Sequence, residues 1–192
     1  PFSPTDAQKR TAREIAEDMK KDVPMRRLLQ GDVGSGKTAV AACALYGAVK
    51  NGWQTAFMAP TEILASQHFS SLKKLLGEDV SIALLTGSLT AKRKKEIYRA
   101  LKEGEIDLLI GTHALIEQKV EFKNLGLCVT DEQHRFGVNQ RATLTEKGQN
   151  PHLLVMSATP IPRSLSLIIY GDLDLSVLDE MPPGRTPIET YA

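Results

Sequence analysis

The chain has 192 residues, of which 42% are hydrophobic and 24% charged, and its formal net charge is +1. This length suits one domain that buries about 70% of its unfolded surface, and the balanced charge gives no electrostatic sign of a nucleic-acid binder. No apolar run approaches the ~20 residues that a membrane span needs, and no signal peptide opens the chain, so we expect a cytoplasmic protein without a membrane anchor. Because the first residue is Pro1 rather than Met, we also expect a piece of a longer protein.

Cysteine and histidine usage predicts neither a disulfide nor a structural metal site. Cys43 and Cys128 lie in apolar runs without Cys-x-x-Cys spacing, so we expect two buried free thiols. No pair of histidines has the spacing of metal ligands; they are His68, His113, His134 and His152.

The first predicted elements are a helix, a strand and a second helix. Thr5 and Gln8 have the Thr-x-x-Gln spacing of a capping box, and an apolar stripe follows at helical spacing. Residues 26–30 form a short buried strand. Residues 38–49 form a helix whose small-residue face suits close packing on a sheet.

A glycine-rich loop joins that strand to that helix. It matches the pattern Gly-x-x-x-x-Gly-Lys-[Ser/Thr] at every defined position, with Gly31, Asp32, Val33, Gly34, Ser35, Gly36, Lys37 and Thr38. Its glycines allow a tight turn in which several N–H groups face one anion, and the helix N-terminus adds a positive dipole. We expect Lys37 to reach the β- and γ-phosphates of a nucleotide and Thr38 to bind Mg²⁺. A turn without a ligand is the alternative, and the strand–helix context argues against it.

Strands and helices alternate along the rest of the chain. Strands are predicted at residues 55–59, 81–85, 107–110, 127–129, 153–156 and 175–178, and helices after residue 61 and at 90–102 and 165–170. The helix after residue 61 carries Leu64, His68, Leu72 and Leu75 along one side. This alternation predicts an α/β fold, in which a parallel sheet is covered by helices on both faces. We assign residues 1–178 to this domain and residues 179–192 to a linker.

Polar clusters follow the predicted strands at their carboxyl ends, where open α/β sheets bind ligands. Asp131 has the form of an acidic residue that holds Mg²⁺ at a strand end. Its neighbour Glu132 is placed to orient or deprotonate an attacking water. Two adjacent carboxylates favour hydrolysis over passive binding. A solvated acidic turn is the alternative for such a pair alone.

The order of these clusters resembles the motif order of superfamily 2 helicases. The clusters are residues 31–38, 59–62, 86–88, 111–113, 131–134 and 157–160. Within that superfamily the chain resembles the RecG family of bacterial ATP-dependent DNA helicases, over the first RecA-like motor lobe, which is a P-loop NTPase domain. The segments that carry this resemblance are residues 30–38, 131–138, 157–163, 170–174 and 182–185.

Two alternatives to that family stay open. The transcription-repair coupling factor family shares the Gly-Val after Arg-Phe and the Ile-Pro-Arg segment. It usually has Asp-Glu-Glu-His where this chain has Asp-Glu-Gln-His, and it lacks the Tyr-Gly-Asp-Leu-Asp segment. A nucleotide-binding switch or scaffold with little catalysis is the other alternative, and the Asp131–Glu132 pair argues against it.

The resemblance implies roles for individual residues. Phe2 and Gln8 would recognise adenine, and Gln133 and His134 would sense the γ-phosphate beside Lys37, Asp131 and Glu132 in the catalytic site. Ser157 and Thr159 would couple hydrolysis to movement. The DNA path would contain Pro60, Thr61, Gly87, Ser88, Thr112 and His113. Contacts of this kind go largely to phosphates through amides and hydroxyls, so they are compatible with a net charge of +1.

The resemblance also implies cofactors and partners. The cofactors are ATP and Mg²⁺, and the nucleic-acid partner is branched or forked duplex DNA. The protein partners are a second RecA-like lobe and a wedge domain of the same full-length chain. The full-length chain would act as a monomer. An arginine finger from a second lobe is worth roughly 10³–10⁵ in rate in related systems, so we expect the 192-residue chain alone to bind nucleotide weakly and to hydrolyse it very slowly. For the basic run at residues 92–95 we expect a solvated helix face, with a DNA contact as the alternative.

Overall fold

The computed structural model describes residues 3–131, 143–159 and 173–182. The helices are α1 (Asp6–Asp18), α2 (Lys37–Lys50), α3 (Glu62–Leu76) and α4 (Ala91–Glu103). The strands are β1 (Arg26–Gly31), β2 (Gln54–Met58), β3 (Ile82–Leu85), β4 (Leu108–Gly111), β5 (Leu125–Thr130), β6 (His152–Ser157) and β7 (Asp174–Leu178). Within these described ranges no helix is long and apolar enough to cross a membrane.

The seven described strands form one sheet in the order β3-β4-β2-β5-β6-β1-β7. Every neighbouring pair is parallel. The carboxyl ends of all seven strands therefore meet at one edge of the sheet. The predicted α/β fold with a parallel sheet is confirmed.

Two hydrophobic cores cover the two faces of the sheet. The first is formed with α1, α2 and α3, and the second with α4 and the 3₁₀ segment His113–Ile116. Adjacent strand residues alternate between them, since Leu29 enters the first core and Leu28 the second. Because both faces are buried, the strands read in sequence as continuous apolar runs.

Some local predictions differ from the structure. Both cysteines are free, but only Cys128 is buried; Cys43 is exposed on α2, so the prediction for it was wrong. Leu75 is 54% exposed, because the inward positions of α3 are instead Ala65, Leu72 and Leu76. The helix predicted at residues 165–170 lies outside the described residues.

The N-terminal helix is fixed at both ends. Its capping box is confirmed: Gln8 N donates to Thr5 Oγ1 at 3.2 Å, and Thr5 N donates to Gln8 Oε1 at 3.1 Å. At the other end Asp18 Oδ2 accepts from Arg27 Nε at 2.9 Å and from Nη2 at 2.6 Å. Arg27 Nη1 also donates to Ser176 Oγ at 2.8 Å, so one guanidinium joins α1, β1 and β7.

The described start of the predicted linker contacts α1. Arg10 Nη2 lies 3.0 Å from Asp179 Oδ1, and Ala7 N donates to Glu180 Oε2 at 3.1 Å. Placing the domain boundary at residue 178 stays a prediction.

Candidate nucleotide and DNA site

The predicted site residues separate into two groups along the carboxyl edge of the sheet. The phosphate-binding loop follows β1, Ser157 and Thr159 lie at the end of β6, and Asp131 follows β5. These three strands are neighbours. The loops predicted to contact DNA follow β2, β4 and β3, which are the next three neighbours. After these predicted roles we call the first part of the edge the nucleotide half and the second the DNA half; they meet between β5 and β2.

The phosphate-binding loop depends on two glycines with positive φ. Gly34 has φ 87° and Gly36 has φ 92°, values that favour glycine over any residue with a side chain. Gly36 is also the N-cap of α2, so the loop leads directly into the positive end of that helix. Val33 at the tip of the loop is 70% exposed, and the loop therefore opens to solvent.

The lysine of the loop bonds back onto the loop. Lys37 Nζ donates to the carbonyl of Gly31 at 2.6 Å and to that of Asp32 at 2.9 Å. The Thr38 side chain is in the first turn of α2 and half-buried. These two bonds use two of the three N–H donors of the ammonium group.

Gln8 links α1 to the phosphate-binding loop. Its Nε2 donates to the carbonyl of Ser35 at 2.7 Å, while its Oε1 serves the capping box. The side chain is 3% exposed, so both ends of one buried amide are satisfied. Adenine recognition by Gln8 stays a prediction, and Phe2 lies outside the described residues.

The close approach of Gln8 makes a prediction for Gly36. A Cβ at Gly36 would lie 2.2 Å from Gln8 Nε2, and φ there is +92°. We expect Gly36→Ala to displace Gln8 and to lower the free energy of unfolding by about 2 kcal/mol, from backbone strain and the lost hydrogen bond. Urea denaturation would measure the stability, and titration with ATP would show weaker nucleotide binding.

Gly52→Ala is a matched control for Gly36→Ala. Gly52 also has a positive φ, +81°, but a Cβ there meets nothing within 4 Å. Gly52→Ala therefore adds backbone strain alone, which should lower the free energy of unfolding by about 1 kcal/mol. It should leave ATP binding unchanged. Equal effects of the two substitutions on ATP binding would contradict the role of Gln8 in shaping the loop.

Asp131 is held in place by two contacts across strands. It is 8% exposed, and its backbone N donates to the carbonyl of Met58 at 2.9 Å. Its carboxylate Oδ2 lies 2.5 Å from His68 Nε2 on α3. Since a carboxylate only accepts, Nε2 carries the proton in this bond. The sequence does not predict this pair; its one signal is the position of His68 on the inward side of a predicted helix.

Ser157 and Thr159 lie between the phosphate-binding loop and Asp131. Their hydroxyl oxygens are 3.0 Å apart, and Thr159 N donates to Ser157 Oγ at 3.3 Å. Gln30 Nε2 at the end of β1 donates to the Thr159 carbonyl at 3.2 Å. The residues predicted to couple hydrolysis to movement are therefore bonded to each other and to the strand that carries the loop.

The loops of the DNA half are also joined to each other. Glu62 accepts from Ser88 N at 3.1 Å and from Ser88 Oγ at 2.7 Å, and these bonds hold the pKa of its carboxyl below the ordinary value. Thr61 caps α3 by accepting from Leu64 N at 3.2 Å. Lys94 Nζ donates to the Gly87 carbonyl at 2.9 Å. One lysine of the basic run thus supports a loop, while the others are exposed, as a solvated helix face requires.

Exposure differs among the residues predicted to contact DNA. Gly87, Ser88 and His113 are exposed, and Pro60 and Thr61 are half-buried. Thr112 is 2% exposed, and its hydroxyl has no hydrogen-bond partner among the described residues.

Comparison with known proteins identifies the family. A model for DEAD/DEAH box helicases matches residues 5–168. The chain belongs to the DEAD/DEAH box helicase family. It is 60% identical over 193 residues to the ATP-dependent DNA helicase RecG of Aquifex aeolicus strain VF5, covering 99% of this chain and 24% of the relative. It is also 60% identical over 192 residues to RecG of Bacillus subtilis strain 168, covering 100% of this chain and 28% of the relative.

A solved structure that is similar to the chain belongs to the same group of helicases as these two relatives. RecG bound to a three-way DNA junction superimposes with a TM-score of 0.86 at 52% identity, covering 98% of this chain and 25% of that one. The resemblance to RecG inferred from the motifs is confirmed. The chain spans about a quarter of the length of the curated relatives that it matches.

The described part of this DEAD/DEAH box domain contains most of the predicted site. Lys37, Thr38 and Asp131 follow strands of the nucleotide half, and the predicted coupling residues lie between them. Three predicted catalytic residues lie outside the described ranges: Glu132, Gln133 and His134. Gln8, Gln30 and His68 donate hydrogen bonds to site residues, and Glu62 accepts from Ser88. These partners are too distant in the sequence for local patterns to predict.

Proposed function

We propose that this chain is the ATP-binding motor lobe of an ATP-dependent DNA helicase that remodels branched DNA, such as stalled forks and Holliday junctions, in recombination and repair. The observation that supports this most is the separation of the nucleotide and DNA loops along one sheet edge. The relatives named ATP-dependent DNA helicase RecG, one of them bound to a three-way DNA junction, support the same function.

ATP would bind with its phosphates at the loop after β1. The amides of the loop and of the first turn of α2 would donate hydrogen bonds to the phosphates, and Lys37 would exchange its two carbonyl partners for phosphate oxygens. The buried Ser35 hydroxyl, which has no partner among the described residues, lies within this loop. Gln8 would keep the loop in this shape from α1, and Phe2 and Gln8 would face the adenine.

The residues around Asp131 fit a magnesium ion. Mg²⁺ prefers oxygen ligands; Asp131, which follows β5, would supply a carboxylate, and Thr38, in the first turn of α2, would supply a hydroxyl. When bound, Mg²⁺ would neutralise charge on the β- and γ-phosphates. Asp131 Oδ2 is held by His68, whereas Oδ1 bonds to none of the described residues and is the oxygen that remains for the ion.

The remaining roles follow from position. Glu132, next to Asp131, would accept a proton from the attacking water, and Gln133 and His134 would sense the γ-phosphate. Ser157 and Thr159 lie at the end of β6, between β5 and β1 in the sheet, and would respond to the bound phosphate. DNA would pass over the loops after β2, β3 and β4, where exposed His113 offers an imidazole to DNA phosphates and the Ser88 hydroxyl would exchange its bond to Glu62 for one to a phosphate. A second lobe of the full-length chain would close over this edge.

ATP hydrolysis by the full-length protein tests this function. We expect a three-way DNA junction to stimulate hydrolysis more strongly than a linear duplex with the same number of base pairs. Lys37→Ala should abolish both rates. No stimulation by either DNA would reject the motor function, and equal stimulation by the two would reject the preference for branched DNA.

A further inference from the structure

Helix α3 connects the DNA half of the edge to the nucleotide half. It begins at the Thr61 cap, and its first residue, Glu62, is bonded to Ser88. His68 follows about two turns later and reaches Asp131. The contact crosses the boundary between β2 and β5, because α3 follows β2 and Asp131 follows β5.

The contact is closely constrained on the histidine side. The His68 side chain is 12% exposed and the Asp131 side chain 11%. The His68 ring lies 4.5 Å from the Phe57 ring, centroid to centroid, at an interplanar angle of 44°. Phe57 is fully buried in β2, so one face of the imidazole rests on the core while Nε2 points to the carboxylate.

We propose that His68 is a positioning residue that holds the Asp131 carboxylate for Mg²⁺; this inference rests on the proposed nucleotide site. A nearly buried carboxylate needs a hydrogen-bond donor, and His68 supplies it at one oxygen only. With Oδ2 fixed, rotation of the carboxylate is restricted and Oδ1 is presented in one direction. Partners that hydrogen-bond a metal-binding carboxylate typically change the metal affinity about 10–100-fold when they are removed.

Packing alone is the simpler explanation of His68, and two substitutions separate it from the proposed role. His68→Phe keeps a flat ring against Phe57 and removes the donor. His68→Gln removes the ring and keeps an amide donor with a similar reach. Gln67→Ala is the matched control, because Gln67 is exposed on the same turn of α3.

The measurement is the dissociation constant of ATP for the full-length protein, once with Mg²⁺ and once with excess EDTA. A fluorescent ATP analogue would be displaced by ATP in both conditions. We expect His68→Phe to weaken binding about 10-fold with Mg²⁺ and to leave binding in EDTA unchanged. We expect His68→Gln and Gln67→Ala to stay close to the wild-type protein in both conditions. Thermal melts would establish that each variant is folded.

Three results would overturn the inference. In the first, Mg²⁺ increases the ATP affinity of His68→Phe as much as that of the wild-type protein. In the second, His68→Phe loses as much ATP affinity in EDTA as in Mg²⁺. In the third, His68→Gln loses as much ATP affinity in Mg²⁺ as His68→Phe does. In each of these cases the wild-type protein still binds ATP more tightly with Mg²⁺, so the nucleotide site itself stands. If the wild-type protein gains nothing from Mg²⁺, the proposed metal site fails and the role of His68 fails with it.

Discussion

Lys37→Ala is expected to weaken ATP binding about 100-fold or more. The substitution removes the ammonium group that now bonds the Gly31 and Asp32 carbonyls and would bond phosphate oxygens in the complex. Two hydrogen bonds to charged groups, at roughly 1.5–3 kcal/mol each, account for a loss of this size. Titration with ATP in Mg²⁺, followed by calorimetry, would measure it.

Lys50→Ala is the control for Lys37→Ala. Lys50 lies at the opposite end of the same helix, where it pairs with Asp79 at 3.4 Å and its side chain is 47% exposed. It should leave ATP binding within twofold of the wild-type value. A Lys37→Ala protein that is folded and binds ATP as tightly as Lys50→Ala would rule out phosphate binding by this loop.

Asp18→Ala is expected to lower the free energy of unfolding by about 3 kcal/mol. It would leave the buried Arg27 guanidinium without its best partner, and breaking a buried ion pair on one side typically costs 3–5 kcal/mol. The lower end applies because Arg27 keeps the Ser176 hydroxyl at 2.8 Å and the Glu14 carboxylate at 3.5 Å. Urea denaturation followed by circular dichroism would measure the change.

The contribution of Asp18 should depend on pH. Burial raises the pKa of Asp18, but the hydrogen bonds from Lys21 and Arg27 outweigh burial and hold the pKa below its ordinary value. A carboxyl with a lowered pKa adds stability above its unfolded pKa, about 4, and loses it as the pH falls through the folded pKa. The difference in free energy of unfolding between the wild-type protein and Asp18→Ala should therefore be largest near neutral pH and smaller in acid.

Glu96→Ala tests the same chemistry at the surface. Arg93 and Glu96 form an ion pair at 2.9 Å, with side chains 65% and 47% exposed. Solvent screens such pairs, so the loss should be below about 1 kcal/mol. If Asp18→Ala and Glu96→Ala had equal effects, the buried network would not be what fixes α1 to β1.

Much of the fold and of the candidate site could be predicted, because the sequence patterns that indicate them lie within short stretches of the chain. Apolar strands that alternate with helices predict a parallel sheet covered on both faces. The glycine pattern predicts a phosphate loop, in which Gly34 and Gly36 do adopt positive φ. Thr5 and Gln8 predict a capping box through their spacing alone, and it is present.

The remaining features depend on neighbours that a local pattern does not contain. The lateral order of the strands is fixed by packing, and no single strand encodes its partners. His68 meets Asp131 across 63 positions of sequence, and Gln8 meets Ser35 across 27. The exposure of Leu75 was not predicted, because a helical stripe fixes only the periodicity, whereas the exposed edge depends on what packs beside α3.

The position of β1 has a consequence for folding. Its two neighbours in the sheet are β6 and β7, where Arg26 pairs with Leu153 and Arg27 pairs with Asp174. During synthesis β1 therefore has no strand partner until β6 and β7 have left the ribosome. Such long-range pairing is slow to form. In a nascent chain the loop after β1 should therefore reach its final shape only after β6 and β7 have been synthesised.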